Sequence, residues 1–201
     1  MPTRVEQQER TRRRLLAAAA EIFDERGLLD STVEQIAERA GFTRGAVYSN
    51  FRNKEDLALA LIAERIDAIV RLVSEADPEE HDPRAAIALF AVRFRDFFTG
   101  PIPTLFHEFR ALAIRRPELA SRLRELYDPL ISALSSVLER TVPALGRRRY
   151  AAGLAALANG LSMETLANPD LAADPELFGD LVLAIAAGVD APPPPARRGA
   201  R

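Results

Sequence analysis

Apolar residues recur along this chain at helical spacing, and no stretch alternates apolar and polar in the way of a strand. Over residues 10–26, Leu16, Ala19, Ile22 and Phe23 share one face, and Gly27 supplies a stop. Ser31 opens a second helix: its hydroxyl can cap the end, and Glu34 three residues on completes a capping box. Val33, Ile36, Ala37 and Ala40 then fall at i, i+3, i+4 and i+7, and Gly41 stands where a left-handed C-cap is needed. Thr43 caps a third, short helix with Val47 and Phe51 inward, which leaves Arg44, Gly45, Tyr48 and Asn50 outward. A fourth helix opens at Asn53 and runs to about residue 76, burying Leu57, Leu61, Ile62, Ile66, Ile69 and Val73.

Beyond it, the polar stretch DPEEHDPR over 77–84 reads as a loop. Asp82 followed by Pro83 is a helix-start signal for a helix over 83–98. A break at Gly100-Pro101-Ile102-Pro103 precedes a helix over 103–115. Pro117 opens a long helix to about 141, with Pro129 inside it. In that helix Leu123, Leu126, Leu130, Ala133 and Val137 form one stripe, and Tyr127, Ile131, Leu134 and Leu138 form a second beside it. An apolar arc this wide is buried on more than one side, so this helix is central to a helical domain. Helices over 147–167 and 175–188 follow, the last capped by Asp174, and the tail DAPPPPARRGAR is expected to be disordered. The expected fold is all-α with about nine helices. Residues 1–9 read as a flexible basic arm, 10–54 as a three-helix helix-turn-helix domain with the helix from 53 as connector, 55–189 as a C-terminal domain, and 190–201 as the tail.

Composition narrows the class. The chain has 201 residues, 48% of them apolar, yet no uncharged apolar run approaches the ~20 residues of a membrane span. The start MPTRVEQQERTRRR lacks the apolar core of a secretion signal, so a cytoplasmic protein without membrane contact is expected. The absence of cysteine removes disulfides and thiolate metal sites. A net charge of −2 by itself argues against nucleic acid, but the charge is unevenly placed. Residues 1–54 hold ten basic against eight acidic residues; 55–201 hold 17 against 21. Arg4, Arg10, Arg12, Arg13 and Arg14 make a local patch that could neutralise phosphates, or could be plain solvated charge.

The run from Arg12 to Leu61 resembles the DNA-binding domain of the TetR family of transcriptional repressors. The resemblance rests on TRRRLLAAAAEIFDERG and on STVEQIAERAGFTRGAVYSNFRNKEDLALAL, with Asn50 standing where many members carry His. It implies a C-terminal domain that binds a small-molecule effector and dimerises, and a double-stranded DNA operator as partner. An Arg at position 44, just inside the second helix of the motif, can grip guanine O6 and N7. Gly45 would let the backbone lie close to DNA, and the Tyr48 hydroxyl would meet phosphate. Thr32 and Thr43, at helix N-termini, suit phosphate oxygens, with capping alone as their plainer role. Of the 27 basic residues only Lys54 is lysine, and the resemblance places it on a phosphate. The family's cavity would fall among Phe94, Phe98, Phe106, His107, Arg110, Tyr127, Asn159 and Met163, although aromatic residues at helical spacing can equally be core. Leu154, Leu157, Leu161 and Thr165 on one helix, with Leu177, Leu181 and Ile185 on the next, are the expected homodimer interface. Gly153 and Gly160 would permit close helix approach there. The plainer role of these residues is intramolecular packing; against it, one short recognition helix reads too few bases, and dimers supply two half-sites.

A catalytic role finds little support. His107-Glu108 looks like the start of a zinc-protease HExxH, but position 111 is Ala, and no nucleophile elbow, P-loop or dinucleotide turn occurs. No cofactor, metal or catalytic residue is expected. The alternative within regulators is gating by a protein partner in place of a small molecule.

Overall fold

The computed structural model describes residues 3–74, 101–138, 146–168, 177, 180 and 181. Among them the chain forms seven α-helices and no strand. These are α1 (Arg4–Asp30), α2 (Val33–Ala40), α3 (Arg44–Tyr48), α4 (Lys54–Ser74), α5 (Pro101–Arg115), α6 (Pro117–Val137) and α7 (Arg147–Ala167). The expected helix over 83–98, the loop before it and the tail lie outside the described residues. Of the expected helix over 175–188, the described Leu177, Asp180 and Leu181 are helical.

Every residue named from periodicity as the inward face of α1 to α4 is buried, including Phe51 just beyond α3. The long helix α6 packs on α4, α5 and α7, in keeping with its double stripe. Leu123, Leu130, Ile131 and Leu134 are buried along it, and Leu126, Tyr127 and Ala133 lie partly buried beside them. Helix α7 differs from expectation. Its most buried positions are the small residues Ala151, Ala155, Ala158 and Ser162, whereas Leu154, Leu157 and Leu161 flank them half-buried.

Two boundaries move for identifiable reasons. Helix α1 begins at Arg4, so residues 4–9, read from the sequence as an arm, are its first turns. Thr3 Oγ1 accepts from the Glu6 N–H at 3.2 Å while Glu6 accepts from the Thr3 N–H at 2.6 Å, a capping box that starts the helix early. The N-cap of α2 is Thr32, not Ser31, and its box partner is Gln35, not Glu34. Ser31 is unavailable because it is buried at the end of α1, where its hydroxyl donates to the Gly27 carbonyl at 2.5 Å and the Leu28 carbonyl at 3.2 Å. The shift leaves the Glu34 carboxylate free to meet Arg44.

Gly27 breaks α1 without ending it. Its φ of 74° and ψ of 170° interrupt the helix, and one further short turn runs to Asp30. The Leu28 N–H, deprived of its helical acceptor by the break, donates to Glu108 of α5 at 2.5 Å. A Cβ at position 27 would lie 2.6 Å from Glu108 Oε1 and would need a backbone conformation that L-residues avoid. Gly27→Ala is therefore expected to destabilise by about 2–4 kcal/mol, strain and displaced carboxylate together. Thermal unfolding followed by circular dichroism checks it, with exposed Ala17→Gly in the same helix costing only about 1 kcal/mol.

Candidate nucleic-acid interface and effector cleft

The second helix of the helix-turn-helix is short, and its outer face is built from its N-terminus upward. Thr43 caps it, Oγ1 accepting from the Ala46 N–H at 3.3 Å, and Thr32 caps α2 in the same manner. Arg44 and Tyr48 are exposed one helical turn apart, and the guanidinium stands 5.7 Å from the Tyr48 ring centroid. Arg44 also pairs with Glu34 at 2.8 Å, both side chains more than half exposed. An ion pair in that setting is weak, so it holds the guanidinium ready without holding it back. A Cβ at Gly45 would touch only Thr43 Oγ1, at 3.7 Å, so the surface there is open.

Asn50 departs from the outward position expected of it. It is half-buried, its amide donates to the Ala46 carbonyl at 2.8 Å, and its Oδ1 is buried without a partner. Beside it, a groove of about 620 Å³ runs between α3 and the first turns of α1, lined by Gln7, Gln8, Thr11 and Ser49 among others. Periodicity could not show this groove, because it depends on α1 starting at Arg4. Two of the N-terminal arginines are occupied. Arg12 lies over the Phe51 ring at 4.4 Å, and Arg14 lies over Phe42 at 4.7 Å while donating to the Ala40 carbonyl.

Lys54 is tied to the fold itself. Its ammonium donates to the carbonyls of Leu29 and Ser31, each at 2.8 Å. Both carbonyls sit at the frayed end of α1 that the Gly27 break creates. The compact ammonium serves both carbonyls with two of its three donors, a point-like geometry that the larger planar guanidinium of Arg matches less well.

The next residues of α4 reach the C-terminal half. Arg116, just before α6, pairs with Glu55 at 3.1 Å, and Arg122 of α6 pairs closely with Asp56. Burial alone would raise the Asp56 carboxyl. The bond from Arg122, the Arg52 N–H and the two guanidinium charges outweigh that and hold it below the usual aspartate value.

Between α5, α6 and α7 lies a cleft of about 440 Å³. Helix α5 lends Arg110, Ala113 and Ile114; α6 lends Leu123, Arg124, Tyr127 and Ile131. Helix α7 closes it with Ala152, Ala155, Ala156 and Asn159. Tyr127 donates to Asn159 Oδ1 at 3.3 Å and stacks on Phe106 with ring centroids 5.8 Å apart. Arg110 lies over the other partner of that stack, 5.6 Å from the Phe106 centroid. Burial pushes the Tyr127 phenol up, partly offset by Asn159 and Arg110, so it stays neutral near pH 7.

Of the residues expected to bind a ligand, Arg110, Tyr127 and Asn159 line this cleft. Phe106 is buried behind it. His107 lies outside the lining, 3.2 Å from Ser162 Oγ, and burial, then the Arg110 charge, lower its pKa and favour the neutral ring. Met163 is 58% exposed and outside the lining. Phe94 and Phe98 lie outside the described residues. Periodicity missed Arg124 and the alanine wall of α7, although Arg124, Tyr127 and Ile131 share one helical face, as do Ala152, Ala155, Ala156 and Asn159.

The expected dimer residues Leu154, Leu157, Leu161, Thr165 and Leu177 are half-buried, and Leu181 is exposed; Ile185 lies outside the described residues. Tyr150, Met163 and Leu166 are further exposed apolar side chains on α7. A Cβ at Gly153 or Gly160 would meet nothing within 4 Å in the single chain. Among the described residues no group of three His, Cys, Asp or Glu could hold a metal, and no helix is long and apolar enough to cross a membrane.

Known proteins share both halves of this architecture. Residues 15–61 match the profile of bacterial regulatory proteins, tetR family, and residues 104–189 match that of the BetI-type transcriptional repressor, C-terminal. The transcriptional regulator BetI of Stenotrophomonas maltophilia (strain R551-3) is 32% identical over 155 residues, 75% of this chain and 78% of that protein. The regulator SrpR of Pseudomonas putida is 47% identical over 57 residues, a match spanning 28% of this chain and only 27% of that regulator. In fold, FadR from Bacillus subtilis, solved in complex with stearoyl-CoA, is similar with a TM-score of 0.64 at 21% identity, over 86% of this chain and 97% of that one. The chain belongs to the TetR family of helix-turn-helix transcriptional regulators.

Two outcomes follow from the joint at α4. Replacing Lys54 by Ala strands the Leu29 and Ser31 carbonyls and should cost about 1–3 kcal/mol, read as a fall in melting temperature, with Lys54→Arg only partly restoring it. Because the Asp56 carboxyl is held below its usual pKa, its ion pair stabilises the fold above that value, about 3.9, and the contribution is lost as pH falls through the lowered value. Urea unfolding from pH 6 to pH 3 should therefore show a steeper acid loss for the native chain than for Asp56→Asn.

Proposed function

We propose that this regulator is a repressor that binds an inverted-repeat operator as a homodimer and is released by a small molecule seated in the cleft between α5, α6 and α7. One observation carries the coupling. Helix α5 presents Arg110 to the cleft and, two residues earlier, Glu108 to the break in α1. A ligand that shifts α5 therefore pulls on a hydrogen bond to the backbone of the DNA-binding half. The pull is shared with α4, whose first turn bonds both the end of α1 and, through Glu55 and Asp56, the start of α6. A rigid joint of this kind turns a small displacement at the cleft into a change in the spacing of two recognition helices.

On the DNA, Arg44 exchanges its weak pairing with Glu34 for guanine O6 and N7, and Gly45 lets the backbone approach the groove. Thr32, Thr43, Tyr48 and Asn50 contribute phosphate or base contacts, and Lys54 keeps its third N–H for a phosphate oxygen. The two-fold is formed by α7 through Leu154, Leu157, Leu161 and Thr165 with Leu177, Leu181 and Ile185. Support for a bound effector comes from the cleft itself and, by analogy of fold, from the stearoyl-CoA complex of FadR.

The test begins with sedimentation of the full chain and selection of its DNA site from a random library. A dimer at micromolar concentration and a site with two half-sites ~34–36 Å apart are expected. A monomer bound tightly to one half-site would reject the proposal. On that operator, Arg44→Ala should lose about 1–3 kcal/mol per half-site and relax the preference at one base pair, because it removes a base-reading contact. An equal loss on operator and random DNA in a quantitative footprint would instead place Arg44 on the backbone. The effector found by a melting-shift screen must bind more weakly to operator-bound protein by the same factor as it weakens DNA, typically ~5–150-fold. Calorimetry with and without operator measures both sides.

A further inference from the structure

We propose that the cleft between α5, α6 and α7 takes an organic anion, a carboxylate or similar acid group on an apolar body, whose charged end lies against Arg110 and Arg124. This rests on the effector reading above and names the chemistry of that site. Among the described residues that line the cleft, Arg110 and Arg124 are the only charged ones, and none is Asp or Glu. Among the described residues neither arginine has a carboxylate partner. Elsewhere in the same half, Arg116, Arg122 and Arg148 each pair with an acidic side chain. Both arginines are exposed at the mouth of the cleft, and with no carboxylate partner there each keeps N–H donors available to an incoming acid group.

The neutral polar groups agree. Tyr127 spends its hydroxyl proton on Asn159 Oδ1, which orients the Asn159 amide with its NH₂ as the remaining hydrogen-bonding end. Arg110, Arg124 and Asn159 thus all offer donors, and donors on three helices around one space select an acceptor-rich ligand. Arg110 is positioned in advance by its stack on Phe106, itself stacked on Tyr127. The remaining surface is hydrocarbon: Ala113, Ile114, Leu123 and Ile131, with the alanines of α7 opposite. An acid group on an apolar body fits that division. An organic cation would face two positive charges with no compensating carboxylate among the described lining residues.

The experiment compares ligands that differ only at the head. Two sets serve: decanoate, decanamide and decylamine; and 4-butylbenzoate, 4-butylbenzamide and 4-butylbenzylamine. Each is titrated calorimetrically into the full-length protein at neutral pH, and each is tested for release of the selected operator. In at least one set the carboxylate should bind about ten-fold or more tightly than its amide, with the amine weakest. Arg110→Gln and Arg124→Gln should each reduce that preference by weakening the carboxylate more than the amide. Exposed Arg115→Gln, outside the lining, should keep it. Melting temperatures of the variants identify any loss due to misfolding, and Arg124→Gln, which disturbs no aromatic stack, stands as the independent variant. An amide or amine that binds as tightly as its carboxylate in both sets overturns the assignment, and so does a preference that survives both Gln substitutions. Failure of all six to bind also overturns it. An amide or amine that binds and releases operator would remove the anion assignment and leave the effector reading standing. A carboxylate that binds through the two arginines without changing operator affinity would do the reverse.

Discussion

The break in α1 at Gly27 is the constraint on which the rest of the molecule depends. A helix that turns at a residue with φ of 74° leaves an amide without its acceptor and carbonyls without their donors. Buried or half-buried backbone groups must be satisfied. Here they are satisfied by residues far along the chain: Glu108 takes the Leu28 N–H, Lys54 serves the carbonyls of Leu29 and Ser31, and the Ser31 hydroxyl closes the turn. A local defect in one helix thus becomes the point where α1, α4 and α5 are pinned together. The extensive packing of α1 on α5 follows from it, and the orientation of the DNA-binding half follows in turn.

That joint also explains what the sequence discloses and what it hides. Helical periodicity is a property of neighbouring residues, so the inward faces of α1, α2 and α4 and the central place of α6 can be read directly. The short recognition helix is equally plain, since Thr43, Val47 and Phe51 are near one another in sequence. Caps are also local, yet Ser31 misleads. It has the right chemistry for an N-cap, and only the buried turn after Gly27 diverts it, handing the role to Thr32. The early start of α1 is different. Thr3 and Glu6 have the spacing of a capping box, but the residues after them lack an apolar stripe, and the helix is extended there by its cap and not by burial.

Contacts across long separations are invisible to periodicity. Nothing in the residues around Glu108 says that its carboxylate meets an amide eighty positions earlier. The lone lysine is a signal that can be seen and not decoded: its uniqueness in an arginine-rich chain marks Lys54, but only the fold shows the two convergent carbonyls that it holds. In the cleft, Arg110, Tyr127 and Asn159 carry recognisable polar chemistry on apolar helices. Arg124 looks like any surface arginine until three helices are placed around it, and the alanines of α7 look like helix filler.

Those alanines have a consequence of their own. The α7 wall of the cleft is one methyl group deep at Ala152, Ala155 and Ala156, and its backbone is held against the core by an equally small stripe at Ala151, Ala155 and Ala158. Exchange of Ala152 or Ala156 for a larger residue would fill the cleft and leave α1 to α4 untouched. The shape of the cleft can therefore drift independently of the helix-turn-helix. On the proposed effector reading, descendants of this chain could acquire new inducers by single codon changes along one helix while keeping the same recognition helix.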